Sequence, residues 1–210
     1  DFSRQEALRN TPLKNEQIKV AYLGVPDNPA FQEQTPKSPI AFTVGDVDRV
    51  TAYRKGIHPF VEAAKFLPDI PFIVVGKPRD DYIHHLQTIA TNNVEFTGFM
   101  PDSELLSLRQ KARVYVQVSQ HEGFGLAVAE AMLARCIPVV SNEGALPEVV
   151  GESGVFTKDT TPEEIAHAIR VGLESPNEVG ESARKRVLHN FSMATRTQII
   201  HDTLEELLSR

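Results

Sequence analysis

The 210-residue sequence has one cysteine, Cys136, and no tryptophan. A lone thiol cannot close an intrachain disulfide or build a thiolate metal cluster, so a reducing compartment is the default expectation. Positive charge is also short. Lys and Arg number 22 against 28 Asp and Glu, a formal balance of −6. That balance argues against generic binding to nucleic acid or to anionic membranes, while leaving room for a local basic pocket. No apolar run approaches the roughly 20 residues that span a bilayer. There is no signal-peptide pattern, internal repeat or low-complexity tract. The sequence opens on Asp1, not Met, and reads as a piece of something longer. What is present is ordinary for a soluble globular protein: 41% hydrophobic and 24% charged residues, at a length that suits one α/β domain with attachments.

Along the chain, the pattern predicts a short helix around Arg4–Arg9 and a strand over Ile18–Tyr22, ended by Gly24 and Pro26. Four prolines between Pro26 and Pro39 then mark a loop or linker. From Ile40 the sequence alternates strand and helix. Strands are predicted at Ile40–Val44, Ile70–Val75, Val94–Thr97, Val114–Val118, Ile137–Val140 and Gly154–Phe156. Helices are predicted at Ile57–Leu67, Asp81–Ala90, Pro101–Leu108 with Asp102 or Ser103 as its cap, Leu126–Ala134 and Ala145–Val150. Three more follow: one from Thr161, with cap, proline and acidic first turn in order, then Val179–His189 and Met193–Leu207. Strands separated by helices imply βαβ units and hence a doubly wound, Rossmann-like parallel sheet.

The chemistry concentrates at Ser119–Val140. A Val- and Tyr-rich strand runs into Gly123 and Gly125, which are followed by the strong helix former Leu126–Ala134. Outside the carboxyl end of a strand is where open α/β sheets bind ligands. The two glycines let a ligand approach the backbone. The amides of Gly123, Phe124, Gly125 and Leu126 open a helix that favours an anion, typically phosphate. A G-x-G turn without a ligand is an equally good reading of that motif alone. Glu122 and Glu130 flank the turn, up to roughly 12 Å apart at helical rise, a span that suits one acceptor on a sugar and another on a ribose with a diphosphate between. A helical Glu is usually solvated, but Glu130 lies in a strongly apolar segment and needs a partner there. For the diphosphate, the segment Arg49-Val-Thr-Ala-Tyr-Arg-Lys-Gly56 offers cations, though a solvated basic loop explains it as well. Cys136 has apolar neighbours and reads as a buried, inert thiol. His121 is equally readable as a ligand contact or an exposed loop residue. Glu148 reads as a residue that fixes a local turn or helix.

Glu122-Gly-Phe-Gly-Leu-Ala-Val-Ala-Glu130, with Ala131-Met and Pro138-Val-Val140 after it, resembles the E-x7-E signature of retaining glycosyltransferases of family 4, which have the GT-B fold. Lys55-Gly56 is similar to the family's phosphate-binding lysine segment. Val94-Glu-Phe-Thr-Gly98, Leu146-Pro-Glu-Val-Val-Gly151 and Asn190-Phe-Ser192 match further landmarks in order, and Ile18–Asp27 resembles the hinge strand leading out of an N-terminal domain. The resemblance covers about residues 15–208. It implies the C-terminal, donor-binding half of a two-domain enzyme: residues 1–25 a remnant of the N-terminal domain and hinge, 26–39 a linker, 40–190 the nucleotide-sugar-binding domain, and 191–210 a helix crossing back toward the absent half.

By the same resemblance, Glu122 binds donor-sugar hydroxyls and Glu130 the nucleotide ribose. The backbone of Gly123–Leu126 contacts sugar and diphosphate, Lys55 neutralises the diphosphate, and the base packs near Gly98–Met100. The sequence departs from the family at Asp46, where Arg usually follows the glycine of the first strand, so Arg49 and then Arg54 are the best substitutes. Cys136 stands where glycine is common and Ala127 where proline is frequent.

The function so implied is transfer of a hexose-type sugar from a donor such as a UDP- or GDP-sugar to an acceptor hydroxyl, with retention at the anomeric carbon. No cofactor or metal is expected, since no dense His/Asp cluster is present. The acceptor glycan, lipid or small molecule, and any membrane contact, would belong to the missing N-terminal domain. The expected location is cytoplasmic, with no nucleic-acid partner. The chain alone is expected to bind donor without turning it over. A noncatalytic nucleotide- or sugar-binding module of the same fold is the alternative, and Asp46 favours it. A dinucleotide-dependent enzyme would show G-x-G-x-x-G with an acid about 20 residues on, and the sequence lacks that arrangement.

Overall fold

The computed structural model describes residues 1–209. Six parallel strands form one sheet: β1 (Ser38–Val44), β2 (Phe72–Val75), β3 (Val94–Gly98), β4 (Ala112–Gln117), β5 (Ile137–Val140) and β6 (Val155–Phe156), in the spatial order β3-β2-β1-β4-β5-β6. The α/β, Rossmann-like reading of the sequence is therefore observed. Between the strands run α2 (Arg49–Arg54), α3 (Ile57–Ala63), α4 (Tyr82–Ile89), α5 (Asp102–Lys111), α6 (Leu126–Leu133) and α7 (Leu146–Val150). Helix α1 (Phe2–Asn10) precedes the sheet, and α8 (Pro162–Glu174), α9 (Asn177–Asn190) and α10 (Met193–Leu208) follow its last strand.

Side chains alternate between the two faces of each strand, and both faces are covered. Phe42, Tyr115 and Val140 join Leu108, Val128, Met132, Ala183 and Val187 in a core under α5, α6 and α9. Ala41, Val74, Val114, Val116 and Val139 join Ile57, Phe60, Leu86, Ile165 and Ile169 in a second core under α3, α4 and α8. Each large side chain fully buried this way contributes roughly 1.5–3 kcal/mol relative to exposure.

Several expectations shift. Residues 18–22 form no strand. Extended backbone counts as sheet only when it has a ladder to join, and here the sole pairing is one residue long, Val25 with Ser192, where the Val25 N–H donates to the Phe191 carbonyl at 2.7 Å. The segment is instead pinned from the side. Arg184, itself buried, holds both carboxylate oxygens of Asp27 at 2.9 and 2.8 Å, and Arg196 donates to the Tyr22 carbonyl at 2.9 Å. Residues 26–39 hold more structure than a linker: Asn28 caps a 3-10 turn at Pro29–Phe31, Phe31 is buried, and β1 already begins at Ser38. Neither Asp102 nor Ser103 caps α5. The cap position is Pro101, and no side chain serves it. Thr161 does cap α8, accepting from the Glu164 amide. Of the expected terminal span 191–210, Arg210 lies outside the described residues.

Candidate active site

The order of the sheet reverses between β1 and β4, whose successors β2 and β5 lie on opposite sides. Such a point leaves a crevice at the carboxyl ends of the strands, and the loops after β1 and β4 line it. The expected basic loop after β1 is a helix: α2 starts where the Asp48 side chain accepts from the Thr51 amide at 2.8 Å. Those backbone hydrogen bonds hold the Asp48 carboxyl below its ordinary range. Six residues with only Ala52 buried give no readable helical period. Helix α2 ends at Arg54 with Lys55 as its C-cap, and Gly56 at φ +75° turns the chain into α3. A Cβ there would run into the Val118 side chain and carbonyl, and left-handed backbone disfavours side chains anyway. This close approach brings Lys55 to the crevice. Its aliphatic stem lies over Gly45, and the Gln120 amide donates to the Arg54 carbonyl at 2.8 Å, tying the two loops together.

After β4, the loop through Glu122 leads to Gly125, which opens α6 at φ +89° with no side-chain cap, so the first amides of α6 are not capped by a side chain. The Glu122 backbone is fixed from α7's side: its carbonyl accepts from the Ala145 amide at 2.8 Å, and Gly144 packs flush against it. The Glu122 carboxylate accepts from Gln117 Nε2 at 2.6 Å.

Glu130 has the partner its apolar surroundings demand. Arg109, at the end of α5, donates to Glu130 Oε2, with side-chain exposures of 13% and 32%. Sequence reading missed Arg109, since nothing in its own segment separates it from the other basic residues of a helix end. It missed Gln117 because a lone amide at the end of an apolar strand carries no sign of the carboxylate the fold sets beside it.

Three cavities lie along this edge. One of about 380 Å³ is lined by Glu122, Phe124, Leu126, Tyr22 and Glu148. A second, about 490 Å³, is lined by Glu130, Arg109, Asn28 and Asp102. The third, about 320 Å³, holds Gly45, Asp46, Arg79, Phe99, Met100 and again Asp102, which makes it the neighbour of the second. Gly98 ends β3 beside it, accepting from the Gly76 amide at 2.9 Å, and the Lys77 ammonium sits 4.5 Å from the centre of the exposed Phe99 ring. Glu122 and Glu130 thus serve separate compartments.

The expected substitutes at Asp46 are exposed: Arg49 and Arg54 lie on α2 and, like Lys55, line none of these cavities, and the Arg49 amide donates to Asp80. A different arginine reaches the spot. Arg79 pairs with Asp46 through Nε and Nη2, both 2.7 Å from Oδ2. Its loop is zipped to that of Asp46: Val47 donates to the Lys77 carbonyl, Arg79 to the Val47 carbonyl, each at 2.8 Å, and a Cβ on Gly76 would strike the Gly45 carbonyl.

Three smaller expectations resolve. Glu148 does not fix its own turn. It reaches across to accept from the Tyr22 hydroxyl at 2.9 Å, from the Phe2 amide at 2.5 Å and from the Asp1 amino group. His121 is exposed, with its ring 5.3 Å from that of Phe2. Cys136 is buried, and burial pushes its thiol up. Lys37, its neighbour at 3.7 Å, is held below the usual ammonium range first by its own burial.

Fold and crevice together describe a Rossmann-like α/β domain, and comparison with known proteins defines the class. Residues 27–186 match the family model "Glycosyl transferases group 1", and the chain belongs to that family. Among curated relatives it is 29% identical over 194 residues to the O-antigen chain mannosyltransferase B of Escherichia coli, covering 83% of this chain and 50% of the relative. It is 30% identical over 220 residues to the MMP alpha-(1->4)-mannosyltransferase of Mycolicibacterium hassiacum, covering 95% and 52%. The chain therefore spans about half the length of these relatives. Its fold superposes on a glycosyltransferase from Rickettsia africae (TM-score 0.83, 20% identity, 99% of this chain and 62% of that one). It also superposes on HepE of Anabaena solved with UDP and glucose (TM-score 0.80, 23% identity, 96% and 60%).

Proposed function

We propose that the chain is the donor-binding, C-terminal half of a retaining, family 4 glycosyltransferase of the GT-B type. In this reading it binds a nucleotide diphosphate sugar from which a hexose-type unit passes to an acceptor hydroxyl. The observation that carries the proposal is the placement of Glu122 and Glu130 along one crevice at the reversal of the sheet, each already held by a dedicated neighbour. The mannosyltransferase relatives and the UDP-bound neighbour support the same donor class.

In this reading the three cavities divide the donor. Glu122 accepts from sugar hydroxyls, and Glu130, held by Arg109, accepts from the ribose. The base rests by Phe99 and Met100, near Gly98. The backbone of Gly123–Leu126, Lys55 and the uncapped amides of α6 stabilise charge that builds on the leaving diphosphate, an electrostatic contribution that requires no metal. Residues 1–25 then belong with the absent half, 26–39 join the two, 40–190 form the donor domain, and the helix within 191–210 crosses back. Acceptor glycan or lipid, and any membrane contact, fall to that absent half. The setting in this reading is cytoplasmic. Separately, no helix among the described residues is long and apolar enough to cross a membrane.

The test is calorimetric titration of the chain with GDP, UDP and ADP. Weak binding of at least one is expected, and Glu130→Ala weakens it. No binding of any of the three overturns the donor reading, and an unchanged affinity in Glu130→Ala removes that residue from the ribose. A noncatalytic binding module is the second reading, favoured by Asp46 at the place of the usual arginine. Donor hydrolysis or transfer by the longer protein, joined to its other half, decides between them.

A further inference from the structure

Resting on the donor-binding reading above, we propose that Gln117 is a positioning residue. It holds Glu122 with one carboxylate oxygen occupied and the other presented to the donor sugar. Gln117 ends β4, and its side chain is buried, with the residue 2% exposed. Its neighbours in the strand are Val114, Tyr115 and Val116, and its partner in β5 is Val140. Packing alone favours an aliphatic residue there, because a buried primary amide must find partners for its polar atoms or lose stability. Gln117 finds both. Nε2 donates to Glu122 Oε2 at 2.6 Å, and Oε1 accepts from the Tyr115 hydroxyl at 2.9 Å.

The direction of this relay is set by chemistry. Tyr115 is fully buried, and burial raises its phenol well above the ordinary value, so it stays a hydroxyl and remains a donor. With Oε1 taken by that donor, the NH2 group faces the carboxylate. The flipped amide would set a carbonyl oxygen against a carboxylate oxygen, two acceptors with no proton between them. The Tyr115 ring is itself locked, edge-on to Phe42 at 5.0 Å. Rigid core thus orients an amide, and the amide orients a carboxylate at the rim of the crevice. Glu122 Oε1 makes no hydrogen bond among the described residues, which leaves it for a ligand hydroxyl. A carboxylate without this restraint loses rotamer freedom only when the sugar arrives, and the ordering then weakens the sugar contact.

The prediction separates sugar from nucleotide. Affinities of the chain for GDP-mannose and GDP, and for UDP-glucose and UDP, are to be measured for wild type, Gln117→Leu, Tyr115→Phe and Glu122→Gln, with thermal unfolding confirming the fold of each. Gln117→Leu is expected to weaken the sugar nucleotide about tenfold or more, the scale of a lost hydrogen bond to a charged group. The matching nucleoside diphosphate stays within about twofold of wild type. Tyr115→Phe falls between the two, and Glu122→Gln follows the pattern of Gln117→Leu. Equal losses for sugar nucleotide and nucleoside diphosphate in a folded Gln117→Leu mean a structural role only and overturn the proposal, as does no loss at all. If Glu122→Gln alone is selective for the sugar, the donor reading stands and the role of Gln117 falls. Wild type binding none of the four probes, and neither ADP-glucose nor ADP, overturns both.

Discussion

At the residue scale, the pairing of Arg109 with Glu130 makes a stability claim. Both side chains are mostly withdrawn from water, and removing one partner leaves the other without compensation. Because Glu130 retains a third of its exposure, the cost is below that of a fully buried pair. Arg109→Met, which keeps the apolar stem, is expected to lower the unfolding free energy by about 1–3 kcal/mol. Urea denaturation measures it, and a change under about 0.5 kcal/mol would show that the pair contributes nothing net. The thiol of Cys136 carries a second claim. It is buried, and its pKa is raised by that burial, so an aromatic disulfide reagent should label it only when the chain unfolds; labelling of the folded chain within minutes contradicts this.

Elements were read more reliably than their partners. The apolar runs of β1, β4 and β5 are written in the sequence, as are the cap of α8 and the glycine turn before α6; which core Phe42 or Ala41 faces is not, because both faces of these strands are buried. What could not be read was whatever depends on a distant segment. Residues 18–22 have strand composition but no ladder to join. Helix α2 is too short for a period. The arginine beside Asp46 comes from a loop more than thirty positions later in the chain. Of the site, Glu122, Glu130 and Lys55 were visible because they sit in a local pattern; Gln117, Arg109 and Arg79 matter only through what the fold sets beside them. Gly56 is the element-scale test. It combines a left-handed φ with direct contact to Val118, so Gly56→Ala is expected to cost more than about 1 kcal/mol. The change should also displace Lys55. Thermal unfolding with nucleotide titration reads both, and a variant matching wild type in each would refute the assignment.

At the scale of the whole molecule, protonation and anchoring each give an expectation. His58 on α3 donates to or accepts from the Tyr82 hydroxyl at 2.8 Å and faces Glu62, His85 and Tyr53. Burial lowers its pKa below the ordinary 6.5. The unfolded chain therefore takes up this proton before the folded chain does, and stability falls as pH drops from about 7 through the folded value. The midpoint temperature of wild type should drop more between pH 7.5 and 5.5 than that of His58→Gln; equal drops would remove His58 as a contributor. Arg184 anchors residues 20–27 through Asp27 and also donates to the Leu133 carbonyl at 2.7 Å. Arg184→Leu should cost roughly 3 kcal/mol, as breaking a buried charge pair does, and should expose residues 20–27 to proteolysis first.

The zipper between the loops after β1 and β2 makes two distant positions a single address. Charge at that address can be carried by either strand's loop, so its inheritance follows the pair and not the position. Exchanging the two, Asp46→Arg with Arg79→Asp, should restore the stability that either single change removes, and a double-mutant cycle measures the coupling. Across sequences that share this fold, arginine at the place of Asp46 should then accompany a residue other than arginine at the place of Arg79. In this chain a guanidinium thus stands at the end of β1 although the residue in that loop is an aspartate.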